Sequence, residues 1–91
     1  NLKSTINHLP KEKLVLIYDN ERRNANIRGQ MRWSLLGNLK VCIWPKFIVE
    51  KDINEMIVQN RTKDEIIDII NKNTFSSPRG LLEFQKWETN N

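Results

Sequence analysis

One cysteine, one histidine and three glycines among 91 residues remove several chemistries at the outset. A lone Cys42 excludes a disulfide framework, and with only His8 beside it the chain has no Cys/His set for zinc. Gly29, Gly37 and Gly80 stand too far apart to form a glycine-rich phosphate loop. Neither His8 nor Cys42 has a sequence partner for nucleophilic catalysis, so they read as an exposed histidine and a small buried thiol. Long apolar runs are missing too. The longest, Leu14 to Tyr18, falls far short of the roughly 20 residues of a membrane-spanning helix, so no membrane association is expected and a reducing cytoplasm is. Charge is not extreme: 15 basic against 11 acidic residues give +4, which suits a polyanionic partner but is too sparse for a nucleic-acid-coating arm. This length supports one core, hence a single domain over 1–91. The chain starts at Asn1 rather than Met, and the expectation is a piece of a longer polypeptide.

Hydrophobic patterning organises the rest. Leu2, Ile6 and Leu9 have helical spacing before Pro10, which predicts a short helix over 1–9. Leu14 to Tyr18 is apolar on both faces, the pattern of a strand covered above and below in a parallel α/β sheet. From about Arg22 to Leu36, Ile27, Met31 and Leu35 recur every four residues, and Gly37-Asn38 offers left-handed residues for the stop. Leu39, Val41 and Ile43 alternate with Lys40 and Cys42, a second strand ending at Trp44-Pro45. Strand, helix and strand predict a βαβ core over 14–45. Three short helices are expected over 52–88. Asp52 with Glu55, and Thr62 with Glu65, have capping-box spacing. Ile53, Met56 and Ile57 form the first inward stripe, and Ile66, Ile67 and Ile70 the second. Ser77-Pro78 opens the third helix, with Leu81, Leu82, Phe84 and Trp87 expected inward.

Ligands of open parallel sheets bind beyond the carboxyl ends of the strands. There the first strand delivers Asp19 and Glu21, and the loop after the second brings Lys51-Asp52. Three carboxylates gathered from two loops would suit hydrated Mg²⁺, with Arg22 and Arg23 beside them to meet phosphates. Simpler roles exist for each. Asp52 is a good N-cap, and Asp19-Asn20-Glu21 is an ordinary polar turn before a helix. Arg28 and Arg32 read as solvated, and Trp33, Trp44 and Trp87 as packing residues that can also stack bases.

The blocks Tyr18-Asp19-Asn20-Glu21, Arg23-Asn24, Val41 to Pro45, Lys51 to Met56 and Asn73-Thr74-Phe75, followed by Leu82, Phe84 and Trp87, carry a resemblance. In order and spacing the chain resembles the carboxyl-terminal part of the DNA primases of T-even-type bacteriophages. The resemblance implies a partial Toprim-like α/β fold: a βαβ unit with a parallel strand pair, followed by about three short helices. Asp19 and Glu21 match that fold's acidic pair, and Asp52, Asn54 and Glu55 its Lys-Asp-x-Asn-Glu motif. It further implies Mg²⁺, or Mn²⁺, held by Asp19, Glu21 and Asp52 as the catalytic set, with Arg23 and Lys51 on phosphates. The implied activity is RNA-primer synthesis from ribonucleotides on a single-stranded DNA template, beside a replicative helicase in the host-cell cytoplasm. Arg22 stands where the family usually has proline, and the segment Ser76 to Gly80 departs from the family's tighter turn. The family's zinc module and early glutamate-bearing strand have no counterpart in these residues, so the 91 residues alone are expected to make no primers. Two alternatives stay open: a non-catalytic nucleic-acid-binding or replisome-assembly module of this fold, and a small Toprim-like nuclease.

Overall fold

Val15–Ile17 (β1) and Lys40–Cys42 (β2) pair in parallel, Val15 opposite Lys40, Leu16 opposite Val41 and Ile17 opposite Cys42. The 12-residue helix Ala25–Leu36 (α1) joins them, as the apolar spacing of Ile27, Met31 and Leu35 requires. The computed structural model describes residues 14–89; the expected helix over 1–9, and His8, lie outside the described residues. Ile53–Val58 (α2), Lys63–Lys72 (α3) and Arg79–Thr89 (α4) supply the three later helices. Between α3 and α4, Thr74–Phe75 (β3) pairs antiparallel with β2, giving a mixed sheet of order β1-β2-β3. The architecture is α/β, a parallel strand–helix–strand unit followed by short helices.

Local chemistry sets the ends of these elements. α1 starts three residues later than the periodicity predicts, because Asn24 caps it, accepting from the N–H groups of Asn26 at 2.9 Å and Ile27 at 3.2 Å. At its other end only Asn38 is left-handed, with φ 62°, while Gly37 stays at φ −84°. Thr62 and Glu65 form the expected capping box of α3. For α2 the box is incomplete: Asp52 accepts from Glu55 N–H at 2.8 Å, but the Glu55 carboxylate accepts from Lys51 N–H, one residue outside the cap.

The sheet is covered on both sides, but only at β2. Leu39, Val41 and Ile43 face Leu16, Met31, Leu35, Phe84 and Trp87, while Cys42 and Trp44 face Ile48, Met56, Ile66 and Ile69. Cys42 is fully buried, and desolvation pushes its thiol pKa up to about 12, so it stays protonated and inert. The expectation of cover on both faces of β1 is corrected here. Leu16 is buried, but Val15 and Ile17 remain 39% and 41% exposed, because β1 is the sheet edge and the second cluster packs on β2 and does not reach it. Three further inward assignments also fail: Ile57, Ile67 and Leu82 are exposed, with Ile69 and Gly80 buried on α3 and α4 instead.

Candidate acidic site at the strand ends

Three side-chain anchors hold the strand ends. Asn20 is buried, and its amide donates to the carbonyls of Ile48 at 2.8 Å and Glu50 at 3.0 Å while accepting from Trp87 Nε1 at 2.9 Å. Its backbone N–H donates to Lys51 O at 2.6 Å, so one residue ties the end of β1 to the loop before Asp52 and to α4. Trp44 Nε1 donates to Tyr18 O at 2.9 Å, locking the end of β2 against β1. The Tyr18 hydroxyl in turn meets Ser34 Oγ of α1 at 2.8 Å.

This frame puts Asp19 and Asp52 on one cavity of about 280 Å³, shared with Ile17, Tyr18, Trp44, Ile53 and Asn54. The two carboxylates differ in what already occupies them. Asp19 is exposed and has no hydrogen-bond or ion-pair partner among the described residues. Asp52 commits one oxygen, Oδ1, to capping α2 and leaves Oδ2 open. An unpaired carboxylate and a half-used one are hard-oxygen donors, the kind that suits Mg²⁺ with most of its water retained, and Asn54 lines the same cavity. Residues of this type fit the cation named above.

The third expected acid does not join them. Glu21 accepts from Asn24 Nδ2 at 2.9 Å through Oε2, and its Oε1 lies 3.8 Å from Lys51 Nζ. Among the described residues no group of three or more His, Cys, Asp or Glu side chains is close enough to hold a metal. Among the described residues the three carboxylates do not gather: Asp19 and Asp52 line one cavity, while Glu21 is engaged by Asn24 and Lys51. Lys51 is engaged with Glu21, and Arg23 is exposed without a partner among the described residues. Arg32, expected to be solvated, lies 3.3 Å from Glu88 of α4 and over the Phe84 ring. Trp44 and Trp87 are buried as expected of packing residues, and Trp33 is half exposed.

Sequence reasoning missed the support under Asp52. The buried Glu50 accepts from Arg61, whose Nε donates to Oε2 and whose Nη2 lies 3.4 Å from Oε1, pinning the loop to the turn between α2 and α3. The Arg61 hydrogen bond holds the Glu50 carboxyl below the usual carboxylate range, against an opposing push from desolvation. A depressed folded pKa contributes stability that is complete above the unfolded value of about 4.3 and disappears as pH falls through the folded one. Glu50→Gln is accordingly less stable than the parent near neutrality, and the two urea midpoints converge as pH drops below about 4. Parallel curves down to pH 3, measured by tryptophan fluorescence, would assign Glu50 no such role.

Neither a protein-family model nor a curated protein matches this chain. Among the described residues no helix is long and apolar enough to cross a membrane.

Proposed function

We propose that this chain supplies the cation-holding edge of a nucleotidyl-transfer protein of the phage DNA-primase kind, acting on single-stranded DNA and ribonucleotides. The observation that carries the reading is the meeting of Asp19 and Asp52, from loops that follow two parallel strands, on one cavity where Asp19 has no other partner among the described residues. Mg²⁺ or Mn²⁺ held there would offset the negative charge of nucleotide phosphates. The chain's own contribution is placement. Asn20 and Trp44 hold the two loops in register, and Arg23 and Lys51 are the phosphate contacts of this reading, Lys51 after release from Glu21. Glu21 joins the acidic pair only by giving up Asn24 and Lys51. A host-cell cytoplasm and a replicative helicase partner belong to the same proposal. One observation favours the second reading, a non-catalytic nucleic-acid-binding or assembly module: two carboxylates meet here rather than three.

Titration with Mg²⁺ followed by amide chemical shifts tests the proposal. Millimolar Mg²⁺ is expected to move resonances at Asp19 and Asp52, because two carboxylates on a hydrated ion bind weakly. Asp52→Asn separates its two roles, since asparagine caps a helix as well as aspartate but brings no charge. The expected result is a response weakened by about tenfold with stability within about 0.5 kcal/mol of the parent. Spectra unmoved at both positions would remove the cation site and leave the module reading.

A further inference from the structure

Trp44 lines two cavities. The first holds Asp19 and Asp52; the second, of about 310 Å³, is bounded by Arg22, Lys46, Lys86, Trp87 and Glu83. Three cations thus face one carboxylate in the second cavity, and that carboxylate lies 3.4 Å from Lys86 Nζ. Arg22 is the telling residue. Its guanidinium sits 5.9 Å from the centre of the Trp87 ring, and its Nε is buried with no hydrogen-bond partner. A buried donor without an acceptor is unfavourable and rare, and here it belongs to a cation whose pKa burial already lowers. A phosphate in the cavity would offset the desolvated charge of the Arg22 guanidinium together with Lys46 and Lys86. The volume is at the small end for ligand sites, which begin at about 300 Å³, enough for one nucleotide-sized group. The indoles of Trp44 and Trp87 lie behind the cations, only 2% and 3% exposed, and form a packed floor to the cavity rather than a stacking surface.

We propose that this cavity is an anion site for the phosphate of a nucleotide, contacted by Arg22, Lys46 and Lys86, with the buried indoles of Trp44 and Trp87 as a rigid floor behind the cations. The acidic and basic cavities then flank one tryptophan, the first suited to a cation and the second to the phosphate that such a cation would accompany. In naming a nucleotide the inference rests on the nucleotidyl-transfer reading; anion binding itself does not.

The test uses the full chain in EDTA, so that failure of the metal site and failure of this site stay distinguishable. ATP, an oligothymidylate and inorganic phosphate are titrated separately while the indole N–H signals of Trp44 and Trp87 and the Arg22 Nε–H signal are followed. The expected result is a shift of those signals by ATP, by the oligonucleotide or by both. A response to ATP alone assigns the phosphate to a mononucleotide, and one to the oligonucleotide alone assigns it to a strand. Arg22→Gln is expected to weaken binding about tenfold and Lys46→Ala about threefold, whereas Glu83→Gln, which frees Lys86, strengthens it about threefold. Lys46 is an exposed loop residue, so its variant keeps the test decisive if Arg22→Gln fails to fold. Lys63→Ala on α3 makes the same charge change outside the cavity and is expected to have no effect. The proposal is overturned by unmoved signals, or by Lys63→Ala weakening binding as much as Lys46→Ala. Inorganic phosphate binding as tightly as either nucleotide would overturn the nucleotide assignment.

Discussion

Asn20→Ala should cost about 3 kcal/mol of unfolding free energy, an effect out of proportion to the few atoms removed. The substitution leaves Trp87 Nε1 and the carbonyls of Ile48 and Glu50 without their partner. Each orphaned buried group is worth about 1–3 kcal/mol, and water entering from the loop side recovers part of it. Asn20→Asp should be at least as damaging at neutral pH. It keeps an acceptor for Trp87 but turns a carboxylate toward two carbonyl oxygens. Urea unfolding followed by tryptophan fluorescence measures both. A loss below about 1 kcal/mol for Asn20→Ala would mean that the loop before Asp52 is held by something else. The variant also separates stability from site geometry: because Asn20 ties the strand end at Asp19 to Lys51, the Mg²⁺ response should weaken even where the chain is still folded.

Asn20 also shows where the sequence stops being legible. Between two acids it reads as turn punctuation, and nothing local reveals that its amide spans to residues 28, 30 and 67 positions away. The Glu50–Arg61 pair is hidden for the same reason, since ion pairs across loops leave no periodic trace. Periodic features fared differently. Alternation through Leu39, Val41 and Ile43 located β2, and the four-residue spacing of Ile27, Met31 and Leu35 located α1 and its buried face. Parallel pairing put Asp19 and Asp52 at the same end of the sheet, and both line one cavity there. Glu21 did not follow, because its carboxylate is taken by the Asn24 amide three residues on and by Lys51 across the loop, and the sequence offers no sign of which partner wins. β3 is two residues long, too short for any period to register.

The second large effect is a coupling between α1 and α4. Leu35 is fully buried, and Leu35→Ala should cost about 3 kcal/mol through lost burial and the cavity left behind. Gly80 packs against it so closely that a Cβ there would meet Leu35 Cδ2 at 2.5 Å. Gly80→Ala alone should therefore destabilise by about 1 kcal/mol, overpacking exceeding the gain in helix propensity. In the double variant the new methyl enters the space that the leucine vacated. The combined loss should fall short of the sum by at least about 1 kcal/mol, a coupling expected only of residues in contact. Additive losses in urea unfolding of the four proteins would show that α4 shifts to accommodate the methyl instead.

In the proposed reading Asp19 and Asp52 hold one divalent cation between them, and paramagnetic broadening by Mn²⁺ tests this directly. Substoichiometric Mn²⁺ added to the labelled chain erases amide signals close to the bound ion. The account predicts early loss at Asp19, Asp52 and Ile53, with signals on α3 retained and Mg²⁺ restoring the spectrum by competition. Asp19→Asn should abolish the pattern without altering the fold, since that side chain has no partner among the described residues. Broadening centred on another group of acids, such as Asp64 and Asp68 on α3, or an unchanged pattern in Asp19→Asn, would contradict the account.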